Sequence, residues 1–386
     1  MDVAPHPHRL NFRHRQLMMA FSALSAEREG VPPVVVCTYE DRESALPGLA
    51  LLARSIANHA PHLRLLCFSS LAGAKALSDE LPGMELRPVE DLGVSGWSVK
   101  PTVLLHALEE SDSALWLDTD VVVSGGLGKL LDALPAGAVV VGEEYRYRQL
   151  GGCSARARAW GLTVSRELDC MTNSGSVRVT KAHRPLLERW QALLADPRFV
   201  AAQQMPIATR PTHLLGDQDV LAALLVSTEF ADLPVHYIRN GPEMVQHCGA
   251  NGYHVIDRLR MIFRRPAFVH MLGRYKPWSF DVPPDPLRSK ADYLHFVCFE
   301  LSPFHAAAQP YAAALGNPTW LQRRSRLARV LNAMALGNVA LRGLPLALAA
   351  WAAEWKRGSP PPLSCATEPL ASLQRQEMSL RSRVAE

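Results

Sequence analysis

ALWLDTDVVVSG, residues 114–125, is an apolar run broken by two aspartates, Asp118 and Asp120. A buried strand would carry valine or leucine there, because carboxylates are costly to bury and two that share a site repel each other. The pair therefore predicts positive charge, or a cation, at this seam. Alternate side chains of an extended chain share a face, so Asp118 and Asp120 are expected to point one way and Thr119 the other. Two carboxylates side by side form an oxygen donor set suited to a hard divalent ion, Mn²⁺ or Mg²⁺. Alone, the pattern is weak. In a chain with 37 acidic residues, two solvated aspartates at a strand-end turn read equally well.

The surrounding sequence places the pair in a sheet. VPPVVVCTY (31–39) is β-branched without helical period and is entered through two prolines, which predicts a buried strand. In LPGLALLARSIANHAP (46–61), Leu49, Leu52, Ala53 and Ile56 recur at helical spacing and Pro61 sets a stop. LRLLCFSS (63–70) is strand-like again. Strand, helix, strand at this pace is a βαβ unit, hence a parallel sheet covered on both faces. KPTVLLHALEES (100–111) then reads as a helix, ALWLDTD as a strand and AGAVVVGEE (136–144) as another. Asp118 and Asp120 fall at the C-terminal end of a central strand, where open α/β sheets bind ligands.

Composition narrows the class. The 386 residues are 48% apolar and 20% charged, as in an ordinary globular protein with one large domain and appendages. A net charge of +4 is too mild to argue for nucleic acid. Seven scattered cysteines with no C-x-x-C pair read as reduced, buried thiols of a cytosolic protein. RLNFRHRQLMMAFSALSA faintly resembles a secretory signal, but its apolar core is short, and residues 1–30 read better as a helical or flexible leader.

Further segments carry chemistry. LDCMTNSGSVRV (168–179) contains Asn-Ser-Gly, which is also an ordinary turn signal. In LLGDQDVLAALL (214–225), Asp217, Gln218 and Asp219 open an apolar helix, where aspartate can simply cap. FVHMLGRYKPWSF (268–280) is far less generic. With D-x-D, N-x-G, D-Q-D and H-x-x-G-x-x-K-P-W in this order, Val34 to Trp278 resembles the family 8 glycosyltransferases. The resemblance implies a GT-A fold, a Rossmann-like mixed α/β sheet flanked by helices, and metal-dependent, retaining transfer of a hexose from a nucleotide sugar.

Residue by residue, it implies that Asp118, Asp120 and His270 ligate the metal, the histidine through a neutral ring nitrogen. Lys276 would meet the donor diphosphate as a point charge, and Gly273 would let the backbone approach it. Pro277 and Trp278 would hold that loop. Lys100 stands where the family carries a donor-binding basic residue, often arginine; a solvated lysine at a helix start is the alternative. Asn173, Asp217 and Gln218 would lie near the anomeric carbon, with Asp219 the obvious carboxylate for a double displacement and front-face attack the family's usual route. Thr38 and Tyr39 would contact the nucleotide, Tyr39 stacking on the base and Glu40 accepting from its ring N–H. UDP is the favoured nucleotide.

These readings divide the chain into a leader (1–30), a catalytic domain (31–285), a helical extension (286–357) and a disordered tail (358–386). The extension begins basic at Arg323, Arg324, Arg326 and Arg329 and turns apolar, with Trp320, Trp351 and Trp355 flanking it. Arg342, Gly343 and Pro345 argue against a membrane span. Two readings remain: an interfacial helix pair over 320–357 on anionic headgroups, or helices packed on the catalytic domain. The expected partners are a nucleotide-sugar donor and an acceptor that is a glycan, a lipid-linked sugar or a small molecule, with no nucleic acid. The expected location is the cytoplasm or the inner membrane face. A nucleotidyltransferase would need a glycine-rich, basic loop after the first strand, which CTYEDRESALPG lacks. A sugar-binding pseudoenzyme is opposed by competent residues at every motif position.

Overall fold

A computed structural model describes residues 34–144, 152–168, 170–247, 255–272, 276–279, 290–322, 325–336, 338 and 341–356. The expected leader, the expected tail, Gly273, Arg323 and Arg324 lie outside the described residues. The chain forms a mixed α/β sheet flanked by helices, as the alternation predicts. β1 (Val34–Tyr39), β2 (Leu65–Phe68), β3 (Met84–Arg87), β4 (Ser113–Leu117), β6 (Val139–Glu143), β7 (Thr172–Thr180) and β8 (Val235–Ile238) build a sheet in the order β3-β2-β1-β4-β7-β6-β8. β5 (Val121–Val123), β9 (Met244–His247) and β10 (Phe268–Met271) form a smaller sheet in the order β5-β10-β9.

The strand period sorts side chains to two cores. Val35 and Cys37 of β1 join Val103, Leu104 and Leu108 of the helix Lys100–Glu110 on one face. Val36 joins Leu49, Leu52 and Ile56 of the helix Leu46–His59 on the other. Burial of both faces explains the nearly continuous apolar runs of β1, β4 and β6. β1 pairs in parallel with β2 and β4, and β6 with β8.

The parallel run of the first βαβ units is interrupted at β7, which runs antiparallel to both β4 and β6 and makes the sheet mixed, as the resemblance implies. This strand contains Asn173-Ser174-Gly175, so the turn reading of that tripeptide fails. Pairing on both edges outweighs the low strand preference of Asn and Gly. A register shift between Val141 and Gly142 lets Ser174–Ser176 bulge out of the β6 ladder, while Asp118 N–H still donates to the Gly175 carbonyl at 2.9 Å. Bulges of this kind re-aim side chains near sites.

The extension is not detached. Phe299, Phe304, Tyr311 and Trp320 share one apolar cluster with Leu51, Val122, Val245 and Val269. Trp320 is buried there, edge-on to Trp278 at 5.9 Å between ring centroids, as the reading of helices packed on the catalytic domain expects. The helix Arg326–Met334 packs through Ala328 on Val297 and Leu301. Among the described residues no helix is long and apolar enough to cross a membrane. Cys37, Cys67, Cys153 and Cys170 are buried and take part in no disulfide.

Candidate active site at the Asp118–Asp120 seam

Asp118 follows β4 directly and Asp120 directly precedes β5. Thr119 turns the other way, donating its hydroxyl to Glu40 Oε2 at 2.6 Å. Glu40 is 1% exposed, and its oxygens also accept from Arg42 Nε and Nη2 at 2.7 and 2.9 Å. Its carboxylate is therefore engaged within the chain. Thr38 is fully buried and donates to the Leu117 carbonyl at 2.7 Å. Tyr39 remains half-buried, its hydroxyl donating to Asp41 at 2.9 Å.

His270 reaches the acid pair. Its Nε2 lies 3.2 Å from Asp120 Oδ1 and 3.8 Å from Asp118 Oδ2, and ligand atoms of all three residues fall within 4.8 Å of one another. Backbone pairing sets this: His270 stands opposite Val121 in the β10–β5 ladder, and Met271 N–H donates to the Asp120 carbonyl at 2.9 Å. The far side of the imidazole rests on Gly175, where any Cβ would collide with His270 Cε1. That glycine is needed for close approach, a reason the turn reading did not contain.

The donor set suits a divalent cation. Asp120 Oδ1 is buried, receives no hydrogen bond and faces an imidazole nitrogen. Two carboxylate oxygens and one imidazole nitrogen within reach of one another are a donor set for such an ion.

Positive charge at the seam also comes from two lysines. Lys100 is buried, with Nζ 3.1 Å from Asp118 Oδ1, 3.2 Å from Asp217 Oδ2 and 2.9 Å from Ser174 Oγ. Burial works against its charge, but Asp118 and Asp217 outweigh it and hold the ammonium above its ordinary value. The solvated alternative for Lys100 is thereby excluded. Lys276 donates to Asp120 Oδ2 and to the Met271 carbonyl. Burial opposes ionisation of Asp120 too, yet Lys276 and His270 hold its carboxyl far below the usual range. Trp278 wedges against Gly48, where a Cβ would lie 2.7 Å from both the indole and the Thr119 carbonyl. The seam is thus packed between the helix Leu46–His59 and the Lys-Pro-Trp segment.

The Asp-Gln-Asp helix, Asp217–Leu225, adjoins through Lys100. Asp217 Oδ2 also accepts from Ser174 Oγ at 2.6 Å. Asn173 Nδ2 and Gln218 Nε2 converge on Glu144 Oε2 at 2.9 and 3.4 Å. Asp219 turns inward: it is 2% exposed and accepts from Arg156 Nε at 2.6 Å. Burial pushes its carboxyl up to about 6, against the pull of Arg156. In this arrangement the Asp219 carboxylate is committed to Arg156.

Glu144 and Arg156 escape the sequence reading. Glu144 carries the same signal as the aspartate pair, an acid at the C-terminal end of a buried strand. Arg156 carries none, since CSARARA looks like any solvated helix.

No protein-family model matches the sequence, and no curated protein matches it. Several solved glycosyltransferases resemble its structure. The galactosyltransferase LgtC, solved with donor and acceptor sugar analogs, is 16% identical with a TM-score of 0.45 over 77% of this chain and 99% of that one. The WbbM bifunctional glycosyltransferase is 16% identical with a TM-score of 0.42 over 65% of this chain, which spans 47% of its length. Mouse xyloside xylosyltransferase 1 is 18% identical with a TM-score of 0.40, covering 62% and 97% of the two chains. At such likeness the chemistry has to be argued from the residues.

Proposed function

We propose that the chain is a metal-dependent glycosyltransferase that moves a hexose from a nucleotide sugar, preferably a UDP-sugar, to an acceptor with retention of configuration. One observation carries this reading: Asp118, Asp120 and His270, from separate motifs, meet at a strand end beside Lys100 and Lys276. A divalent cation held by Asp118, Asp120 and His270 would act as a Lewis acid on the donor diphosphate. Lys276 sits where it can exchange Asp120 for a phosphate oxygen, adding fixed positive charge as the nucleotide leaves. Asn173 and Gln218, oriented by Glu144, present amides to sugar hydroxyls. Asp217 and Asp219 are both buried and paired, which favours the front-face route over a covalent one. The donor's glycosidic bond breaks, the acceptor oxygen bonds the anomeric carbon, and the acceptor proton passes to the released phosphate. The partners are a nucleotide-sugar donor and a glycan, lipid-linked sugar or small-molecule acceptor, in the cytoplasm.

UDP-hexoses incubated with the full chain should release UDP with Mn²⁺ and not with EDTA. Binding without turnover would instead make the protein a sugar-nucleotide-binding pseudoenzyme.

A peripheral membrane contact belongs to the same reading. On the helix Arg326–Met334, Leu327, Val330 and Met334 lie 38, 58 and 66% exposed at helical spacing, beside exposed Arg326 and Arg329. Such a stripe fits an anionic lipid surface. The protein should co-sediment with phosphatidylglycerol vesicles, and a Leu327→Asp, Val330→Asp variant should not. Equal binding by both would end the membrane contact.

A further inference from the structure

LRMIFRRP, residues 259–266, carries an apolar tip out into water. Phe263 is 91% exposed, and Leu259 and Ile262 are 42 and 41% exposed. The three stand at i, i+3 and i+4, the spacing that puts side chains on one face of a helical turn. The turn is ordered by its own backbone. Ile262 N–H donates to the Leu259 carbonyl at 3.2 Å, and the N–H groups of Phe263 and Arg264 donate to the Arg260 carbonyl at 3.0 and 2.9 Å. Both ends are fastened. On one side Arg258 is buried against Gly343, where its guanidinium fills the space of any Cβ. On the other, the Ala267 carbonyl accepts from the N–H groups of Ser124 and Gly125 at 2.9 and 3.3 Å, and Ala267 N–H donates to the Glu243 carbonyl at 2.7 Å. Ser124 Oγ donates to the Pro266 carbonyl at 2.8 Å. A firm base thus holds large apolar side chains away from the core.

Leaving Phe263 in water forfeits what its burial would contribute, and its two apolar neighbours make a patch of what would otherwise be one scattered exposure. Charge names the occupant. Arg260, Arg264 and Arg265 are exposed around the tip, and no acidic residue occurs from Arg258 to Met271. An aromatic tip ringed by arginines matches a surface that is negative outside and apolar beneath, which is an anionic lipid leaflet. We propose that residues 259–265 are a membrane prong, with Phe263 entering the acyl boundary while Arg260, Arg264 and Arg265 meet lipid phosphates. The prong is a second contact, separate from the stripe on the helix Arg326–Met334, and it stands independently of the transferase chemistry. Two weak contacts on one chain reinforce each other, so loss of either releases the protein.

The test is co-sedimentation of the full chain with phosphatidylglycerol or phosphatidylcholine vesicles at about 0.1 M salt. Wild type should bind the anionic vesicles and not the neutral ones. Phe263→Asp, with the Arg326–Met334 stripe intact, should raise the lipid concentration for half-binding at least about tenfold, and so should Arg264→Ala combined with Arg265→Ala. Phe263→Trp should stay within about threefold of wild type, since either ring suits the boundary. The thermal melt of Phe263→Asp by circular dichroism should match wild type, because an exposed side chain leaves the fold little to lose. Affinity of Phe263→Asp within about twofold of wild type would leave the stripe as the contact and overturn the prong. Equal binding to phosphatidylcholine, or a lowered melt showing Phe263 covered within the chain, overturns it as well. Failure of the wild type to bind either vesicle overturns prong and stripe together and leaves the tip to a protein partner.

Discussion

Asp120→Ala should lower metal-dependent turnover of a UDP-sugar by about 10³-fold, the scale of losing a preorganised charge at a reacting centre. Asp120 serves the seam in two ways. Its Oδ1 faces His270 and its Oδ2 holds Lys276, so its loss removes one cation ligand and leaves the Lys276 ammonium uncompensated beside the place a metal would take. Asp120→Asn keeps the shape and removes the charge. It should fail nearly as badly, which separates electrostatics from packing. Circular dichroism should show the alanine variant folded, because the seam is walled by β4, β7 and the helix Leu46–His59 rather than by this one side chain. Turnover within twofold of wild type in either variant would sink the metal site, and the sugar chemistry with it.

Arg156→Ala should cost about 3–5 kcal/mol of stability, because it strands a buried carboxylate. Asp219 is the group left behind. Burial pushes its carboxyl up to about 6 from the ordinary 3.8, so the folded chain binds that proton more tightly than the unfolded chain does. The associated stability is complete below 3.8 and is lost as the pH rises through about 6. Without Arg156 to pull it down, that value climbs further. The deficit in urea melts should therefore be largest near pH 7.5 and shrink near pH 5. Adding Asp219→Asn should recover most of it. A small deficit that ignores pH would mean the ion pair contributes nothing net.

The sheet and the acid pair were legible in the sequence because both rest on local pattern. Two-residue alternation and buried strand length place Val34–Tyr39 and Ser113–Leu117, and the cost of burying Asp118 beside Asp120 marks the seam. β7 was not legible in this way. Its Asn-Ser-Gly carries turn preference, and only pairing on both edges makes it a strand. Local pattern is equally silent about direction, and only the family resemblance implied that the sheet is mixed. Partnerships across the fold were hidden for the same reason: nothing near Asp219 announces Arg156, and nothing near Glu40 announces Thr119. His270 was found by motif resemblance, whereas its seat came from tertiary packing.

That seat bears on how chains of this kind are recognised. An imidazole near the end of the described sheet residues occupies the volume that a side chain at position 175 would have filled, so the two positions cannot vary independently. Paired aspartates arise by accident in any acidic protein. A missing side chain matched to a distant ring does not, and the glycine–histidine couple is accordingly the sharper signature to look for in an unfamiliar sequence.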